Sequence, residues 1–447
     1  MTITCPPDFV PVSPYNRFAE WYIKLIEMSS DNSSKRYLQL ETEPGPSDRS
    51  EPEPKKLCVS LAQCIEGSVT ENKTKVVKRN ARYRKRVKIP LSSINQLNQL
   101  QTEVQAQLFA DDDDDGHLNF DVGDILNDYT LLGFLGRGTF GRVAKARHIQ
   151  SRQIVALKIV KNEDDSREGA KGEIGVLNKL KVIDPEGKNL WVEMFDFFDF
   201  RGHICMAFEK LGDSLYSFMR ENKFKPFQLM QIKHIAYQLC NSVKALHENE
   251  IIHTDLKPEN ICFVTSDFTY GIRATRQQTY RKPICTNIRV IDFGSALHFL
   301  DRRDVNVQTR TYRAPEVLCG LSWDQKIDVW SIGCILFELY TGKSLFPAEE
   351  DYQQYLLFHD VLGPFPHHYE ETSLCRMYKR QMALGIKKKP QRKLLKKYMK
   401  MSTQDHQEFF DLIQKMLNPD PYTRIRLDVA LSHPFFRLLP DDEAFDE

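Results

Sequence analysis

The stretch LGRGTFGRV (135–143) constrains the fold of this 447-residue sequence more than any other. It places Gly136, Gly138 and Gly141 in a G-x-G-x-x-G pattern, which several unrelated folds use to approach phosphates. A dinucleotide-binding fold requires a helix directly after the glycines and an acidic residue about 20 positions further on. Here GRVAKARHI continues as a second strand, so we predict a β-hairpin whose glycines let backbone amides approach phosphates. Val143 then lies where an apolar lid over a purine ring belongs.

Apolar periodicity divides the rest of the sequence into two parts. From about residue 124 to 210, short apolar runs such as QIVALKIV are separated by glycine and charge, which predicts an antiparallel sheet. After about residue 213 the pattern becomes helical, as in FQLMQIKHIAYQLCNSVKALHE and KIDVWSIGCILFELYTG. We predict an α+β fold, with a small strand-rich lobe at about 124–210, a larger helical lobe at about 211–437, and a cleft between them.

Lys158 lies in VALK, on the strand after the glycine hairpin. A lysine in a buried sheet is costly unless it is paired. Glu173 follows 15 residues later on a predicted helix, from which it can reach back to Lys158. We expect this pair to hold the ammonium group against the phosphates of a bound nucleotide.

The stretch HTDLKPEN (253–260) combines a candidate base, a cation and an amide-bearing metal ligand. We expect Asp255 to orient an acceptor hydroxyl, Lys257 to neutralise charge on a transferring phosphoryl group, and Asn260 to bind Mg²⁺. VIDFGSA adds Asp292 as the second metal ligand, on a strand-like run. Each of these residues is common by itself, and their occurrence in this order is not.

Three further residues are expected to support the catalytic loop and its surroundings. Glu316 in RAPEV is expected to form a buried pair with Arg424 in DPYTRIRL. Asp328 in DVWSIG is expected to brace the backbone of the catalytic loop.

Taken together, these motifs resemble eukaryotic protein kinases over roughly residues 125–437. Within that group, GRGTFGRV, HTDLKPENICFVTSD, VIDFGSA, TRTYRAPEV and DVWSIGCILFELYTG are similar to the cdc2-like, or LAMMER, branch of the CMGC kinases. Thr254, at a position where most kinases have Arg, also matches that branch. So does the long stretch between Asn260 and Asp292, in which residues like 265–288 form an extra hairpin.

The resemblance implies ATP and Mg²⁺ as cofactors and protein Ser/Thr hydroxyls, with Tyr as a further acceptor, as substrates. It implies Phe208 as the gatekeeper of the adenine pocket and Glu209–Leu211 as the hinge. The residues expected to contact ATP are Leu135, Gly136, Gly138, Gly141, Val143, Ala156, Lys158, Glu173, Phe208, Glu209 and Leu211. The alternative is a pseudokinase that binds partners as a scaffold, although such proteins usually lose the Lys or Asp residues retained here.

The sequence also departs from the LAMMER pattern and so predicts a divergent member. The segment aligned with EHLAMMERILG is QQYLLFHDVLG (353–363), and only its final Leu-Gly is retained. No Arg/Ser-rich arm is present, and the segment 376–400 is rich in Lys and Arg. The family's preference for splicing-related, Arg/Ser-rich partners therefore becomes a question, and we expect acidic flanking residues to be better tolerated.

Residues 1–123 are predicted to form a largely disordered arm, and 438–447 an acidic tail. Helical spacing of apolar residues at 18–26 and 94–108 leaves two readings open, docking on the domain or a partner, and transient helices. The basic cluster 73–88 fits a nuclear import signal, an acidic partner or a solvated coil. The acidic run Asp111–Asp115 is expected to keep this linker open.

Composition narrows the class of protein further. The 62 Lys and Arg residues balance the 61 Asp and Glu residues, and the basic runs lack interleaved aromatics, so we expect no nucleic-acid partner. The ten cysteines are scattered, which predicts neither a zinc site nor a disulfide framework. No signal peptide or membrane span is evident. We expect a nuclear protein with a cytoplasmic fraction.

The identity of residue 254 also predicts how the protein is activated. An Arg at this position is usually neutralised by a phosphate on the activation segment, and that pairing orders the segment. With Thr254 there is no cation here that needs a counter-charge. Thr309 and Thr311 are candidate phosphorylation sites, but we expect activity without phosphorylation, and Arg313 to help hold the segment.

Overall fold

The computed structural model describes residues 112–188, 190–273, 278–301, 306–384 and 395–437. These ranges belong to one compact unit. The expectations for the disordered arm up to residue 111, its two helical stripes, the basic cluster 73–88 and the acidic tail lie outside the described residues. Within the described ranges, every helix is too short or too polar to cross a bilayer.

The strand-rich lobe is a six-stranded antiparallel sheet in the order β1-β2-β3-β4-β6-β5. Its strands are β1 (Ile125–Leu126), β2 (Tyr129–Arg137), β3 (Gly141–His148), β4 (Ile154–Val160), β5 (Met194–Phe200) and β6 (His203–Glu209). The hairpin β2–β3 carries the glycine pattern at its turn, as the sequence predicts. Consecutive strands pair by short turns except between β4 and β5, where helix α1 (Asp164–Ile183) intervenes.

The two faces of this sheet belong to different cores. On one face Leu157, Ile159 and Ala207 are buried with Leu118 and Tyr129 in a cluster confined to the sheet and the segment before it. On the other face Met206 and Phe208 join the side chains of α1 and continue into the core of the helical lobe. Because side chains alternate along β4 and β6, one face of the sheet packs against Leu118 and Tyr129 and the other face lines the cleft.

The helical lobe is built around two long helices that the apolar periodicity predicts. They are α3 (Leu229–Glu248) and α5 (Lys326–Thr341). From Ile327 to Tyr340 every residue of α5 is buried, which explains why its sequence is apolar on all sides. The remaining helices are α2 (Leu215–Glu221), α4 (Pro315–Leu318), α6 (Asp351–Leu362), α7 (Ser373–Ala383), α8 (Gln404–Met416) and α9 (Leu427–Leu431).

Short two-stranded sheets place the catalytic segments on this helical base. The strand pairs are β7 (Ile251–Ile252) with β12 (Leu297–His298), β8 (Ile261–Phe263) with β11 (Ile288–Val290), and β9 (Phe268–Arg273) with β10 (Gln278–Pro283). The β9–β10 pair is antiparallel and is the extra hairpin predicted between residues 265 and 288. It docks on the end of α2, where Asn222 exchanges two 2.9 Å hydrogen bonds with the backbone of Arg281.

The acidic run before the kinase-like region is not an open linker, and that expectation is wrong for its described residues. Asp112 and Leu118 form an antiparallel bridge, and the carboxylate of Asp113 accepts hydrogen bonds from the backbone of Asp115 (3.1 Å) and His117 (2.9 Å). Local hydrogen bonding by Asp and nearby arginines offset the repulsion between neighbouring carboxylates. The sheet's packing therefore begins upstream of the predicted boundary at residue 124.

Candidate active site

The cleft face of the sheet brings the predicted nucleotide contacts into rows. Gly136 pairs with Val143, and Val143 pairs with Lys158, across β2, β3 and β4. Ala156 pairs with Phe208 across β4 and β6. Directly opposed residues of an antiparallel sheet share a face, and so do residues two apart on a strand. Val143, Ala156, Lys158 and Phe208 therefore line the same side of the sheet.

Two of the three hairpin glycines leave open space, and the third is needed for packing. A Cβ added at Gly136 would have no atom within 4 Å, and a Cβ added at Gly138 would lie 3.9 Å from its nearest neighbour. A Cβ on Gly141 would instead collide with the carbonyl oxygen of Ile159 on β4. Gly141 thus lets β3 approach β4, whereas Gly136 and Gly138 keep the hairpin surface free of side chains. Leu135 lies just before them on β2 and is exposed.

Lys158 lies at the centre of a triad of charges. Its Nζ donates to Glu173 Oε2 at 2.7 Å and Oε1 at 3.0 Å, and to Asp292 Oδ1 at 3.3 Å. Burial favours the neutral amine, but the two carboxylates outweigh it and raise the pKa of Lys158 above its ordinary value. In turn, the ammonium group holds the pKa of Asp292 below its usual range. The predicted Lys158–Glu173 pair is therefore present, and Asp292 shares the same cation.

The predicted hinge joins the sheet to the helical lobe. Phe208 is buried near the end of β6, and Glu209 is its last residue. Glu209 donates its backbone N–H to the Glu193 carbonyl at 3.0 Å and accepts from the Glu193 N–H through its carboxylate at 2.9 Å. Leu211 follows, partly buried against the main core. Residues 208–211 thus form a short connection between the two lobes, and its backbone is anchored to Glu193, just before β5.

Asp328 braces the loop that contains the catalytic residues. Its buried carboxylate accepts from the backbone N–H of His253 (2.9 Å) and of Thr254 (3.0 Å), and from the His247 ring at 3.0 Å. Thr254 has a φ of 65°, a conformation that a β-branched residue rarely adopts. Its hydroxyl donates to the Ser295 carbonyl at 2.7 Å. These contacts offset the backbone strain at Thr254 and fix the orientation of the next residue, Asp255.

Asp255, Lys257 and Asn260 meet in one cluster. Lys257 Nζ lies 2.6 Å from Asp255 Oδ2, and Asn260 Nδ2 donates to the Asp255 carbonyl at 2.9 Å and to Oδ2 at 3.4 Å. Thr309 completes the cluster from the activation segment. Its hydroxyl donates to Asp255 Oδ1 at 2.7 Å and lies 3.2 Å from Lys257 Nζ. The cluster thus connects the catalytic loop to a residue 54 positions away.

Asp292 is not on a strand, contrary to the sequence expectation. β11 ends at Val290, and Asp292 has a φ of 64°. This left-handed turn costs energy for a residue with a Cβ, and such strain accumulates at functional sites. It moves the carboxylate away from the strand direction and toward Lys158. Strand propensity did not indicate this turn, because the apolar residues of VIDFGSA before Asp292 favour a strand.

The activation segment is held by uncharged groups around Gln308, which sequence reasoning missed. Gln308 is buried, has a φ of 69°, and donates from its side chain to the carbonyls of Ile327 (2.9 Å) and Tyr312 (3.3 Å) and to Ser331 Oγ (2.8 Å). Its amide oxygen accepts from the Ala314 N–H at 2.9 Å. The predicted role of Arg313 fits this network, because its guanidinium donates to the Gln308 carbonyl at 2.8 Å.

The predicted pair of Glu316 and Arg424 is present at the end of the activation segment. The two side chains are completely buried and form two hydrogen bonds, of 2.5 Å and 2.8 Å. Arg424 also donates to the carbonyls of Asn418 and Lys326. Two parallel bonds to one carboxylate fix the position of Glu316, and with it the end of the activation segment.

Thr309 is the second contact that the sequence did not reveal. Sequence reasoning treats it as a phosphorylation site equivalent to Thr311. In the structure its hydroxyl is engaged by Asp255, and a phosphate there would place two negative groups together. Its position directly after Gln308 and close to the TYRAPEV motif is the only signal that could have singled it out.

Comparison with known proteins agrees with this geometry. The model of the protein kinase domain family matches residues 129–436, more than half of the chain. The chain is 44% identical over 343 residues to the serine/threonine-protein kinase Doa of Drosophila melanogaster, covering 74% of this chain and 41% of Doa. It is 42% identical over 340 residues to the mouse dual specificity protein kinase CLK2, covering 74% of this chain and 68% of CLK2. For human CLK1 the identity is 43% over 340 residues, covering 74% and 70%.

The chain therefore spans less than half of Doa and about two thirds of the CLK proteins it matches. Neither the site geometry nor these relatives support the scaffold alternative, because the Lys, Asp and Asn residues of phosphoryl transfer are present and placed together. The family carries out ATP-dependent phosphoryl transfer to proteins. This chain belongs to the protein kinase family, in its CLK, or LAMMER, branch.

Proposed function

We propose that this protein transfers the γ-phosphoryl group of ATP to Ser and Thr hydroxyls of proteins, with the residues described above in the roles that follow. The observation that carries the proposal is the pair of clusters on the two sides of the cleft. One is Lys158 with Glu173 and Asp292, and the other is Asp255 with Lys257 and Thr309. Phosphoryl transfer depends mainly on positioning and charge stabilisation, and both clusters supply these.

On the nucleotide side, the glycine hairpin covers the phosphates and Lys158 binds them. Val143 and Ala156 would cover one face of the adenine ring, with Phe208 as the gatekeeper and Glu209–Leu211 as the hinge of the pocket. The glycine surface at Gly136 and Gly138 fits phosphates because it presents backbone without side chains. The charge of Lys158 is secured by its raised pKa, so the cation persists at neutral pH.

Asn260 and Asp292 suit Mg²⁺ by the chemistry of their donors. Mg²⁺ prefers carboxylate and amide oxygens together with phosphate oxygens. Asn260 commits its nitrogen to Asp255, which assigns its amide oxygen to the cation, and the lowered pKa of Asp292 keeps its carboxylate ionised. When bound, Mg²⁺ neutralises charge on the phosphates. The protein's part is to hold these two oxygens in place.

On the acceptor side, Asp255 orients the attacking hydroxyl and accepts its proton. Its two oxygens are positioned by Thr309 on one side and by Lys257 and Asn260 on the other. Lys257 also supplies positive charge where the phosphoryl group passes. Since CLK1 and CLK2 are named dual specificity kinases, we propose Tyr as a secondary acceptor.

The substrate surface differs from that expected for Arg/Ser-rich partners. On α7, Arg376, Lys379 and Arg380 are exposed, and α7 packs against α6. α6 in turn contacts the activation segment, because Asp351 pairs with Arg310 and the side-chain amide of Gln354 donates a hydrogen bond to the Arg310 carbonyl. Arg376 and Lys379 are paired with Glu371 and Glu370, so among the described residues of this surface it is Arg380 that adds uncompensated positive charge one helix away from the acceptor site and disfavours strongly basic docking segments. We propose weaker activity on Arg/Ser-repeat peptides, such as those of splicing-related proteins, than the family resemblance implies, and better tolerance of acidic flanks.

The test is Asp255→Asn in the purified full chain, with Asp267→Asn, an exposed residue, as control. Loss of the proton acceptor should reduce phosphorylation of a degenerate peptide library by about 10²–10⁴-fold, while Asp267→Asn retains activity. Equal activity of Asp255→Asn and wild type would contradict the proposed mechanism. In the same library, dominant selection of Arg on both sides of the acceptor would refute the substrate preference.

We further propose that the protein accumulates in the nucleus, with a cytoplasmic fraction, through the basic cluster 73–88. The cluster carries the charge density of an import signal. A truncation that starts near residue 120 should shift a fluorescent fusion toward the cytoplasm. A truncated protein as nuclear as the full chain would exclude the cluster as the signal.

A further inference from the structure

The acidic turn Asp112–Leu118 contacts both strands of the glycine hairpin. Asp113 Oδ2 lies 2.6 Å from Arg142 Nη2, and Arg142 Nη1 donates to the Leu118 carbonyl at 2.9 Å. Arg142 directly follows Gly141 at the start of β3. On the other strand, Arg137 pairs with Asp115, and Arg137 lies between Gly136 and Gly138. One turn therefore engages the residues on either side of the hairpin tip.

The same turn is anchored to the rigid part of the sheet. Its Gly116 carbonyl accepts from the Asn162 N–H at 3.1 Å, just after β4. The Asp112 carboxylate lies 2.9 Å from His203 Nε2, and the other nitrogen of that buried ring lies 2.7 Å from the Val160 carbonyl. These contacts connect the turn to the strand that carries Lys158. The turn therefore connects the glycine hairpin to strands β4 and β6 of the sheet.

We propose that the acidic turn is a clamp that positions the glycine hairpin over the phosphates of ATP, with Asp113 and Arg142 as its positioning residues. The inference rests on the proposed role of the hairpin in nucleotide binding. Glycines have more backbone freedom than other residues, so a hairpin with three of them loses entropy when it closes on a ligand. A clamp that restricts the hairpin beforehand reduces that loss and strengthens ATP binding.

The contacts differ in weight. The side chains of Asp113 and Arg142 are 22% and 17% exposed, whereas those of Asp115 and Arg137 are 65% and 45% exposed. Exposed ion pairs contribute little because water and salt screen them. Arg142 also makes a hydrogen bond to a backbone carbonyl, which fixes its geometry. The Asp113–Arg142 contact is thus the main element of the clamp, and Arg137–Asp115 is secondary.

Asp113→Asn in the full chain tests the clamp without opening the turn. Asp113 uses Oδ1 to close the turn and Oδ2 to bind Arg142, and Asn retains the first oxygen while losing the charge of the second. We expect KM for ATP to rise about three- to tenfold, because a charge-assisted hydrogen bond is weakened. The peptide KM and the melting temperature should remain within error. Asp114→Asn, which removes the same charge from an exposed neighbour, is the matched control.

Two results would overturn the clamp. One is a KM for ATP in Asp113→Asn that equals the value in Asp114→Asn. The other is a lowered melting temperature with no selective change in KM for ATP, which is the signature of a purely structural contact. Because wild type is assayed in parallel, absence of any ATP-dependent transfer by wild type would instead refute the proposed function.

A double-mutant cycle with Arg142→Gln makes the test specific to this pair. If Asp113 acts on the hairpin through Arg142, Asp113→Asn should raise KM for ATP in the wild type but leave it nearly unchanged in the Arg142→Gln background. Effects that multiply would show that the two residues act independently, and would overturn the assignment of the pair as one device.

Discussion

The two sides of the cleft are held by different forces. On the nucleotide side, Lys158 is fixed by two carboxylates, Glu173 and Asp292. On the acceptor side, the activation segment is fixed by the uncharged amide of Gln308 and by the hydroxyl of Thr309. Arg313, the cation beside them, donates to the backbone carbonyls of Val307 and Gln308. The nucleotide side thus depends on permanent charges, whereas the acceptor side combines charged pairs, such as Glu316 with Arg424, with the neutral hydrogen bonds of Gln308.

The difference shows what each side must do. The nucleotide site receives a strongly charged ligand, so an ammonium group poised by carboxylates suits it. The acceptor site must remain open to a neutral hydroxyl while its backbone stays ordered. A buried amide with all of its bonds made orders that backbone without adding charge. This is a structural reason to expect activity without a phosphorylated segment.

Lys158→Arg should break the nucleotide side most completely. A planar guanidinium does not replace a compact ammonium between two carboxylates. We expect kcat/KM for ATP to fall about 10²–10³-fold, as for loss of one preorganised donor. Steady-state kinetics measure the effect, and Lys145→Arg, at an exposed position of β3, is the control. Near wild-type turnover would show that Lys158 is not the phosphate-binding cation.

Gln308→Glu should break the acceptor side with a smaller effect. The substituted carboxylate cannot donate to the Ile327 carbonyl or to Ser331, and it would be buried against acceptors. We expect kcat/KM for peptide to fall about 10–100-fold, the range for leaving buried groups unsatisfied. KM for ATP should remain unchanged. The exposed Gln353→Glu serves as control, and an equal loss toward both substrates would contradict the separation of the two sides.

Removal of phosphate should have a still smaller effect. With Thr254 in place of a cation and Gln308 holding the segment, the phosphatase-treated protein and Thr311→Ala should each retain kcat within about tenfold of untreated wild type. Phosphoprotein staining before and after treatment verifies the phosphate content. Loss of peptide activity on dephosphorylation would mean that a basic residue reads a phosphate after all.

Changes in pH should affect the nucleotide side least of all. The pKa of Asp292 is lowered, so its charge is lost only as pH falls below the usual carboxyl range. The pKa of Lys158 is raised, so its charge is lost only as pH rises above the usual lysine range. Between pH 6 and 9 both remain charged, and KM for ATP should change less than about twofold. Burial raises the pKa of Glu173, the third group of the triad. A titration of KM with a midpoint in that window would therefore point to Glu173 and would contradict the expectation that the whole triad stays charged.

Much of the fold and of the charged site could be predicted from local patterns. The helical period of α3 and α5, the strand after the glycines, and the spacing of Lys158 and Glu173 are properties of short stretches of sequence. The pairing of Glu316 with Arg424 followed from the resemblance to kinases, and the structure contains it. Acidic residues 112–115 were misread, because a run of like charges by itself predicts repulsion and gives no sign of arginines that lie about 22 to 29 positions away.

The sequence by itself determined the two-lobe architecture and the identity of the charged residues, because periodicity and motif order act within a few turns of chain. Only the tertiary structure decided that Thr309 contacts Asp255 across 54 positions, that the amide of Gln308 holds the activation segment, and that the acidic turn contacts the glycine hairpin. The physical reason is that these contacts join distant segments. Several also depend on left-handed backbone angles, at Thr254, Asp292 and Gln308, which packing imposes against local preference.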